Sequence, residues 1–455
     1  MKHFILKIAW CRVIPVIALV VAFISCNDND KPKAVHNPNS PVVLTSFEPD
    51  SGRMRDYVLL NGENFGSDPS MIKVLFNSSE AKVINSTGTR ILALVPRLPG
   101  DTCILSVQIG NQKKDYLQDF RYKVTASVTT LAGNGTATSS PTWQQGLDNT
   151  ILTPVYIGID MEDNVLVTTS GDYLFRINAK ENTISLVATG AQDGFNHRCM
   201  PYVNPRTHVI QFGAEDARDK FMFLDPKEGY APKTKYIKSW EWNKLPQPAS
   251  GNPSRHYQCL LNEDDNHFYT RYDNGIIAKI CPDTWHAEAI GMTPSGSTLG
   301  LAFNPVKKNE LWMGYYESGT NGMNNAIARV DVSDTTKLSS GQLTTYERMS
   351  SQISAAGHRD GPLHLAQFNQ IRGISFDSDG NLYVGDCGNH CIRMINTKTM
   401  MVETIIGIPG KYLPFQNGNR DMATFYQPHG IVVDSDGVIY VSDYSNHRVR
   451  RIAIE

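Results

Sequence analysis

The sequence predicts an all-β protein in two parts, a short β-sandwich followed by a six-bladed propeller. Three observations lead there. From residue 41 onward, short β-rich segments alternate with Gly, Pro, Asn and Asp turns. Two segments near the C-terminal end repeat each other at an offset of 57 residues, Phe368 against Phe425. Four weaker copies precede them. At 455 residues the chain is also too long for one core, and 41% hydrophobic with 19% charged residues is ordinary for folded domains.

The N-terminal segment reads as an export signal. Lys2, Lys7 and Arg12 precede an apolar run over 13–24, too short for a spanning helix. The run closes on Phe23-Ile24-Ser25-Cys26, which resembles a bacterial lipobox, with Phe23 where Leu is usual. That resemblance implies a cleaved signal peptide over 1–25, an acylated Cys26 as membrane anchor, and a polar tether over 26–40. The tether opens Asn27-Asp28-Asn29-Asp30 and resembles the export tags of Gram-negative lipoproteins on the outer face of the outer membrane, so a cell-surface location is expected. A net charge of -2 with no Lys/Arg cluster excludes nucleic acid as a partner. Of the remaining cysteines, Cys103, Cys199, Cys259, Cys281, Cys387 and Cys391, none forms a CxxC pair. Cys387 and Cys391 flank a turn, where a disulfide and two free thiols are both open readings.

The first module covers 41–123. A strand breaks at Glu48-Pro49-Asp50-Ser51-Gly52; a second, from Tyr57, ends in Gly62-Glu63-Asn64-Phe65-Gly66; further strands fall at 72–77, 81–85, 90–95 and 103–109. Spacing of this kind indicates a sandwich. These segments resemble the IPT/TIG family, marked by an "I-x-x-F-x-P-x-S-G" opening, here with Leu44 for Ile, and a "G-x-N-F-G" turn. The resemblance implies an immunoglobulin-like fold that provides contacts or spacing and no catalysis. Tyr57 and Phe65 are read as core residues, and the module as a spacer.

The propeller occupies 124–455. In each strong copy an inner strand leaves through an Asp-x-Asp-Gly turn (Asp377-Ser378-Asp379-Gly380 and Asp434-Ser435-Asp436-Gly437) into a second strand ending at Asp386 or Asp443. An Asn-His turn, Asn389-His390 or Asn446-His447, then opens a third strand. Weaker inner-strand-to-turn segments lie at 156–164, 200–207, 260–266 and 301–309, with second strands at 165–168, 209–212, 267–270 and 310–314 and outer strands at 184–189, 235–240, 286–291 and 343–348. Residues 128–133 read like the outer strand over 402–407, yet precede any inner strand, so they are expected to complete the last blade and close the ring. The strong copies resemble NHL repeats, nearly intact from Pro428 to Arg450, while the other copy has Ile371 for Pro and Cys391 for Arg.

Setting the six copies in register on their turn acid or amide places the candidate site. Five residues before Asp160, Asn204, Asn262, Asn304, Asp377 and Asp434 stand Val155, Cys199, Tyr257, Leu299, Arg372 and His429. His197, Arg198, Arg255 and His256 lie one or two steps earlier. Arg372, His429, Tyr257, Arg255, His256 and Arg198 are therefore the candidate ligand-binding residues, suited by Arg forks and an aromatic face to a polar or anionic ligand such as an acidic sugar. Asp386, Asp443, Asn389, Asn446, His390 and His447 are read as turn caps. Some NHL-type propellers are lyases with zinc on three histidines; here only His429 stands at such a position, against Arg372, Tyr257 and Cys199 elsewhere. No catalytic residue, metal or cofactor is therefore assigned. The expected function is non-catalytic binding of a glycan or a protein by a monomer, with a lyase or lactonase-type enzyme and a protein–protein scaffold as alternatives.

Overall fold

A computed structural model describes residues 34–96, 102–123, 125–190, 199–214, 219–242, 255–316, 322–333, 346–353 and 355–454. The chain divides into two compact units between Lys123 and Val124. Among the described residues both are built of strands, and the helical elements are single 3₁₀ turns.

The first unit is an IPT/TIG-type sandwich. Its strands are Val43–Glu48, Ser51–Gly52, Tyr57–Glu63, Ile72–Phe76, Ser79–Ser86, Arg90–Leu94, Thr102–Ile109 and Gln112–Tyr122. Strand Ser79–Ser86 joins the two layers: Ser79 to Ala81 pair with Ile72–Phe76, whereas Lys82 to Ser86 pair with Arg90–Leu94. Period-two alternation sends Ile72, Val74 and Phe76 inward and leaves Lys73 outside. Phe76 and Phe120 meet edge to face at 5.0 Å. Phe65 is buried as expected, but Tyr57 is 41% exposed, because Val58 beside it takes the inward face. The glycine-rich turn has a packing reason. A Cβ on Gly62 would lie 2.4 Å from the Phe65 ring, and Asn64 takes φ of 65° while its amide donates to the Asn37 and Ser40 carbonyls at 2.9 and 2.8 Å. Residues 34–40 thus bond to the sandwich along the C-terminal end of the expected tether.

The second unit is a six-bladed propeller. Its inner strands are Pro154–Ile159, Tyr202–Val203, Leu260–Asn262, Gly300–Phe303, Ile371–Phe376 and Pro428–Val433, here the first to sixth blades. The register inferred from sequence has a direct physical counterpart. In every blade the turn residue accepts a hydrogen bond from the backbone N–H two positions on: Asp160 from Glu162, Asn204 from Arg206, Asn262 from Asp264, Asn304 from Val306, Asp377 from Asp379 and Asp434 from Asp436, all at 2.9–3.0 Å. Gly380 and Gly437 take φ of 84° and 78° in the two strong copies. The inner strands approach closely where they carry glycine: Gly373 against the His429 backbone, and Gly430 against Ile157 of the first blade.

The ring closes as the sequence suggests. Ala126–Ala132 pairs antiparallel with Arg448–Ile454, Val128 opposite Ile452. One outer strand differs from expectation. The second blade ends with Pro232–Tyr236, not 235–240, because Asp225 caps a 3₁₀ turn that ends on Gly229 in the left-handed region and returns the chain early. Ser239–Glu241 instead runs parallel to His286–Met292 as an extra strand on the third blade. In the fourth blade Glu347–Arg348 forms the outer strand, and residues 343–345 lie outside those described.

Two buried ion pairs fasten the strong repeats. Asp386 meets Arg393 at 2.9 Å and Asp443 meets Arg450 at 2.6 Å, each pair without side-chain exposure. Each Asp also accepts from the Asn of the following turn and from a backbone N–H ahead of its own inner strand, Asn369 or Tyr426. Burial raises both carboxyls, Asp386 to about 6, against the pull of the arginines.

Closure sets a measurable expectation. Deleting residues up to 134 should lower the propeller melting temperature by about 5–10 °C through loss of the buried outer strand. Deleting only up to 122 should leave it unchanged. Equal melting of the two truncations by scanning calorimetry would contradict the closure.

Candidate ligand-binding site

The residues ahead of the inner strands converge on one mouth of the channel. There a cavity of about 510 Å³ is lined by Val155, Tyr156, Ser170, Tyr257, Ser297, Leu299, Tyr316, Gln370, Arg372, Cys387, Gln427, His429 and Tyr444. Local backbone geometry aims the two strong copies. The strand pairing slips between Ile371 and Gly373 and between Pro428 and Ile431, and Gln370 and Gln427 both take φ of 55°. These irregularities hold Gln370 and Arg372, and likewise Gln427 and His429, against the cavity. The Gln370 N–H is held by the Asn325 side chain at 2.7 Å and that of Gln427 by His390 Nδ1 at 3.3 Å.

Arg372 is half-buried, its guanidinium 4.1 Å from the centroid of the Tyr316 ring. Its Nε has no hydrogen-bond partner, and among the described residues it forms no ion pair. Burial opposes its charge, yet Tyr156, Cys387 and Tyr316 together hold its pKa above the usual arginine value. His429 is 5% exposed and stacks on Tyr444, 4.1 Å between centroids and 8° between planes. Its Nδ1 is likewise unpartnered. Burial first, and the Arg372 charge second, hold it well below the usual histidine range, so it is neutral at physiological pH. Burial pushes the Cys387 thiol up to about 12, against Arg372. The cavity thus presents one fixed positive charge, a neutral imidazole, two carboxamides and several tyrosine rings.

Sequence-predicted residues separate here. Arg372, His429 and Tyr257 face the same cavity; Tyr257 is nearly buried, and its hydroxyl donates to Asp273 at 3.1 Å. His256 does not line it. It bridges in extended conformation to Ala214 and Tyr272, so its side chain turns to the opposite side from Tyr257 and packs on Phe221 at 4.5 Å. Its Nε2 meets the Lys220 carbonyl at 3.1 Å, and burial pushes its pKa down to about 3. Arg255 is exposed and stands apart from the cavity lining. Arg198 and His197 lie outside the described residues, as does Cys26. Cys199 is packed in the core with Tyr156 and Met200. Ser170, Tyr316, Cys387 and Tyr444 were not anticipated. All follow the second strand of a blade, and in the strong copies the signal was the residue directly after the repeat Asp, Cys387 after Asp386 and Tyr444 after Asp443.

The remaining repeat residues hold structure. His390 and His447 close their 3₁₀ turns in the left-handed region; the His447 Nδ1 meets Thr153 Oγ1 of the first blade at 3.2 Å. The six described cysteines are free thiols, Cys387 and Cys391 included. Among the described residues no group of three or more His, Cys, Asp or Glu side chains could hold a metal ion. The opposite end of the channel, a cavity of about 430 Å³, is lined by inner-strand residues such as Ile157, Leu261, Leu301, Phe303, Ile374 and Ile431.

Residues 41–122 match the model of the IPT/TIG domain, and residues 368–393 and 425–452 match that of the NHL repeat. The chain carries an IPT/TIG domain and NHL repeats. The NHL repeat-containing protein 2 of Homo sapiens is 30% identical over 111 residues, which are 24% of this chain and 15% of that protein; that of Bos taurus matches equally. The matched stretch is thus a small part of those relatives. Among solved structures, a protein of unknown function from Bacteroides thetaiotaomicron covers 93% of this chain and 100% of its own, at 20% identity and a TM-score of 0.65. Auxiliary nutrient binding proteins from Bacteroides thetaiotaomicron and Bacteroides ovatus cover 92% of this chain and 99% and 100% of their own, at 21% and 20% identity and TM-scores of 0.57 and 0.56. At these identities the likeness is one of fold.

The buried His256 of the propeller has a pH signature. Its pKa falls on folding, so its contribution is present above the usual histidine value and is lost as pH drops from about 6.5 toward 3, by up to about 1.4 kcal/mol per pH unit. His256→Gln should be less stable than wild type at pH 7, with the gap narrowing at pH 5. Urea unfolding at both pH values measures it, and a constant gap would contradict a neutral buried imidazole.

Proposed function

We propose that this chain is a non-catalytic binding protein of the bacterial cell surface that holds a glycan in the mouth of its propeller. One observation carries the reading: a cavity of about 510 Å³ in which an Arg372 without an ion-pair partner among the described residues stands among tyrosines and two glutamines. A sugar suits such a lining. Its C–H faces pack on aromatic rings, its hydroxyls exchange bonds with carboxamides, and the concave wall removes both from water. The neighbouring nutrient binding proteins of Bacteroides share the two-part architecture, and a nutrient-binding role is in keeping with them. On this reading Cys26 carries the lipid and holds the protein on the outer membrane, with the IPT/TIG domain as spacer.

Two measurements test this. In calorimetry against a panel of neutral and uronic-acid-containing oligosaccharides, at least one should bind, and Tyr316→Ala should weaken neutral and acidic binders alike by about 0.5–1.5 kcal/mol. No heat from any saccharide would favour a protein partner instead. Separately, an alkyne fatty acid fed to expressing cells should label wild type and not Cys26→Ala, which should leave the membrane fraction; equal labelling would remove the anchor.

A further inference from the structure

We propose that the mouth takes an anionic ligand, with one negative group of a sugar (a carboxylate or a sulfate half-ester) seated between Arg372 and His429, and that His429 takes a proton from solvent as the anion arrives. This rests on the mouth being the glycan site and assigns the charge of that glycan.

Two unsatisfied polar atoms point to the anion. Arg372 Nε and His429 Nδ1 are both shut off from solvent and without hydrogen-bond partners, and both side chains line the same cavity. A buried polar atom left without a partner is costly, and an anion in the cavity offers these two side chains an acceptor they lack. The charge balance sets the sign of the ligand. Arg372 is the one fixed charge among the lining residues described, with no carboxylate and no lysine beside it. A guanidinium fork matches the two oxygens of a single carboxylate or sulfate.

The proton follows from the same geometry. The groups that face His429 are Arg372 from the fifth blade, Tyr156 from the first blade and Tyr444 from its own blade, with Cys387 against Arg372. Arg372 is the charge that opposes an imidazolium. An anion on Arg372 cancels that opposition and adds an acceptor beside the ring. Proton and anion therefore bind with positive coupling, each raising the affinity of the other. The stack on Tyr444 holds the imidazole plane in place for this. Acidic ligands should bind more tightly as pH falls from 7.5 to 6, by up to tenfold per unit, the limit for one proton.

Calorimetry of the full chain with glucuronate, glucose 6-sulfate and glucose, in buffers of different ionisation enthalpy, reads affinity and proton uptake together. Expected are at least roughly tenfold tighter binding of one or both acidic sugars than of glucose and uptake of up to one proton. Arg372→Gln should lower acidic affinity about 10- to 100-fold, to the level of glucose. His429→Asn should abolish the proton uptake while leaving a preference for the acidic sugar. A preference for only one acidic sugar identifies its group as carboxylate or sulfate. Glucose binding as tightly as both acids overturns the inference and leaves the glycan reading intact, and acidic binding without proton uptake also overturns it. If no sugar binds, acetate and methyl sulfate are titrated while the His429 imidazole resonance is followed. A shift then keeps the anion site and removes the glycan reading, and no shift removes both.

Discussion

Each inner strand of the propeller ends in a turn held by one side-chain oxygen, and the level of everything at the mouth depends on that bond. Asp160, Asn204, Asn262, Asn304, Asp377 and Asp434 accept the same backbone N–H, two residues on, in six blades of which only the fifth and sixth closely repeat each other in sequence. The bond gives the turn one geometry whatever residues surround it. Counting back along the strand, the same number of residues then reaches the cavity in five of the six blades, while in the second Cys199 packs into the core. Val155, Tyr257, Leu299, Arg372 and His429 meet at one cavity for this reason, although they are far apart in sequence.

The buried pairs Asp386–Arg393 and Asp443–Arg450 hold the other end of the same strands. Each carboxylate takes an arginine, an asparagine and a backbone N–H, so its desolvation is offset by a nearly complete set of bonds. Removing one partner from a pair of this kind costs about 3–5 kcal/mol, because the other charge stays buried. The backbone N–H groups they hold, Asn369 and Tyr426, stand one residue before Gln370 and Gln427. Structural carboxylates thereby position the cavity lining without entering it. The charges of the repeat are spent on one another, while Arg372 faces the cavity with no carboxylate partner among the described residues.

The chemistry of the mouth follows from that division. Of the residues at the inner-strand position, His429 is the histidine, and its neighbours on the ring are an arginine, a tyrosine and apolar side chains. A lone imidazole against a guanidinium is a poor metal site and a sound partner for an anion. The opposite end of the channel is lined differently: inner-strand Ile, Leu and Phe stand beside the turn residues Asp160, Asn262, Asn304 and Asp377, with Lys308 and no arginine or histidine among the described lining.

The sequence by itself determined the all-β class, the two units, the six blades and the closing strand, because turn residues and period-two alternation are local and recur. It also placed Arg372, His429 and Tyr257 at one mouth, since the turn acid and the strand spacing are both written in the repeat. Only the tertiary structure decided the rest. His256 is one residue from Tyr257, yet it points to the other side of an extended segment, and which side faces a core depends on Ala214 and Tyr272, distant in sequence. Tyr316 comes to rest against Arg372, and Tyr444 against His429, only when the turns after the second strands arrive at the same end of the channel as the starts of the first. Side-chain direction and contacts between blades are set by packing between segments far apart in the chain, and no local pattern records them.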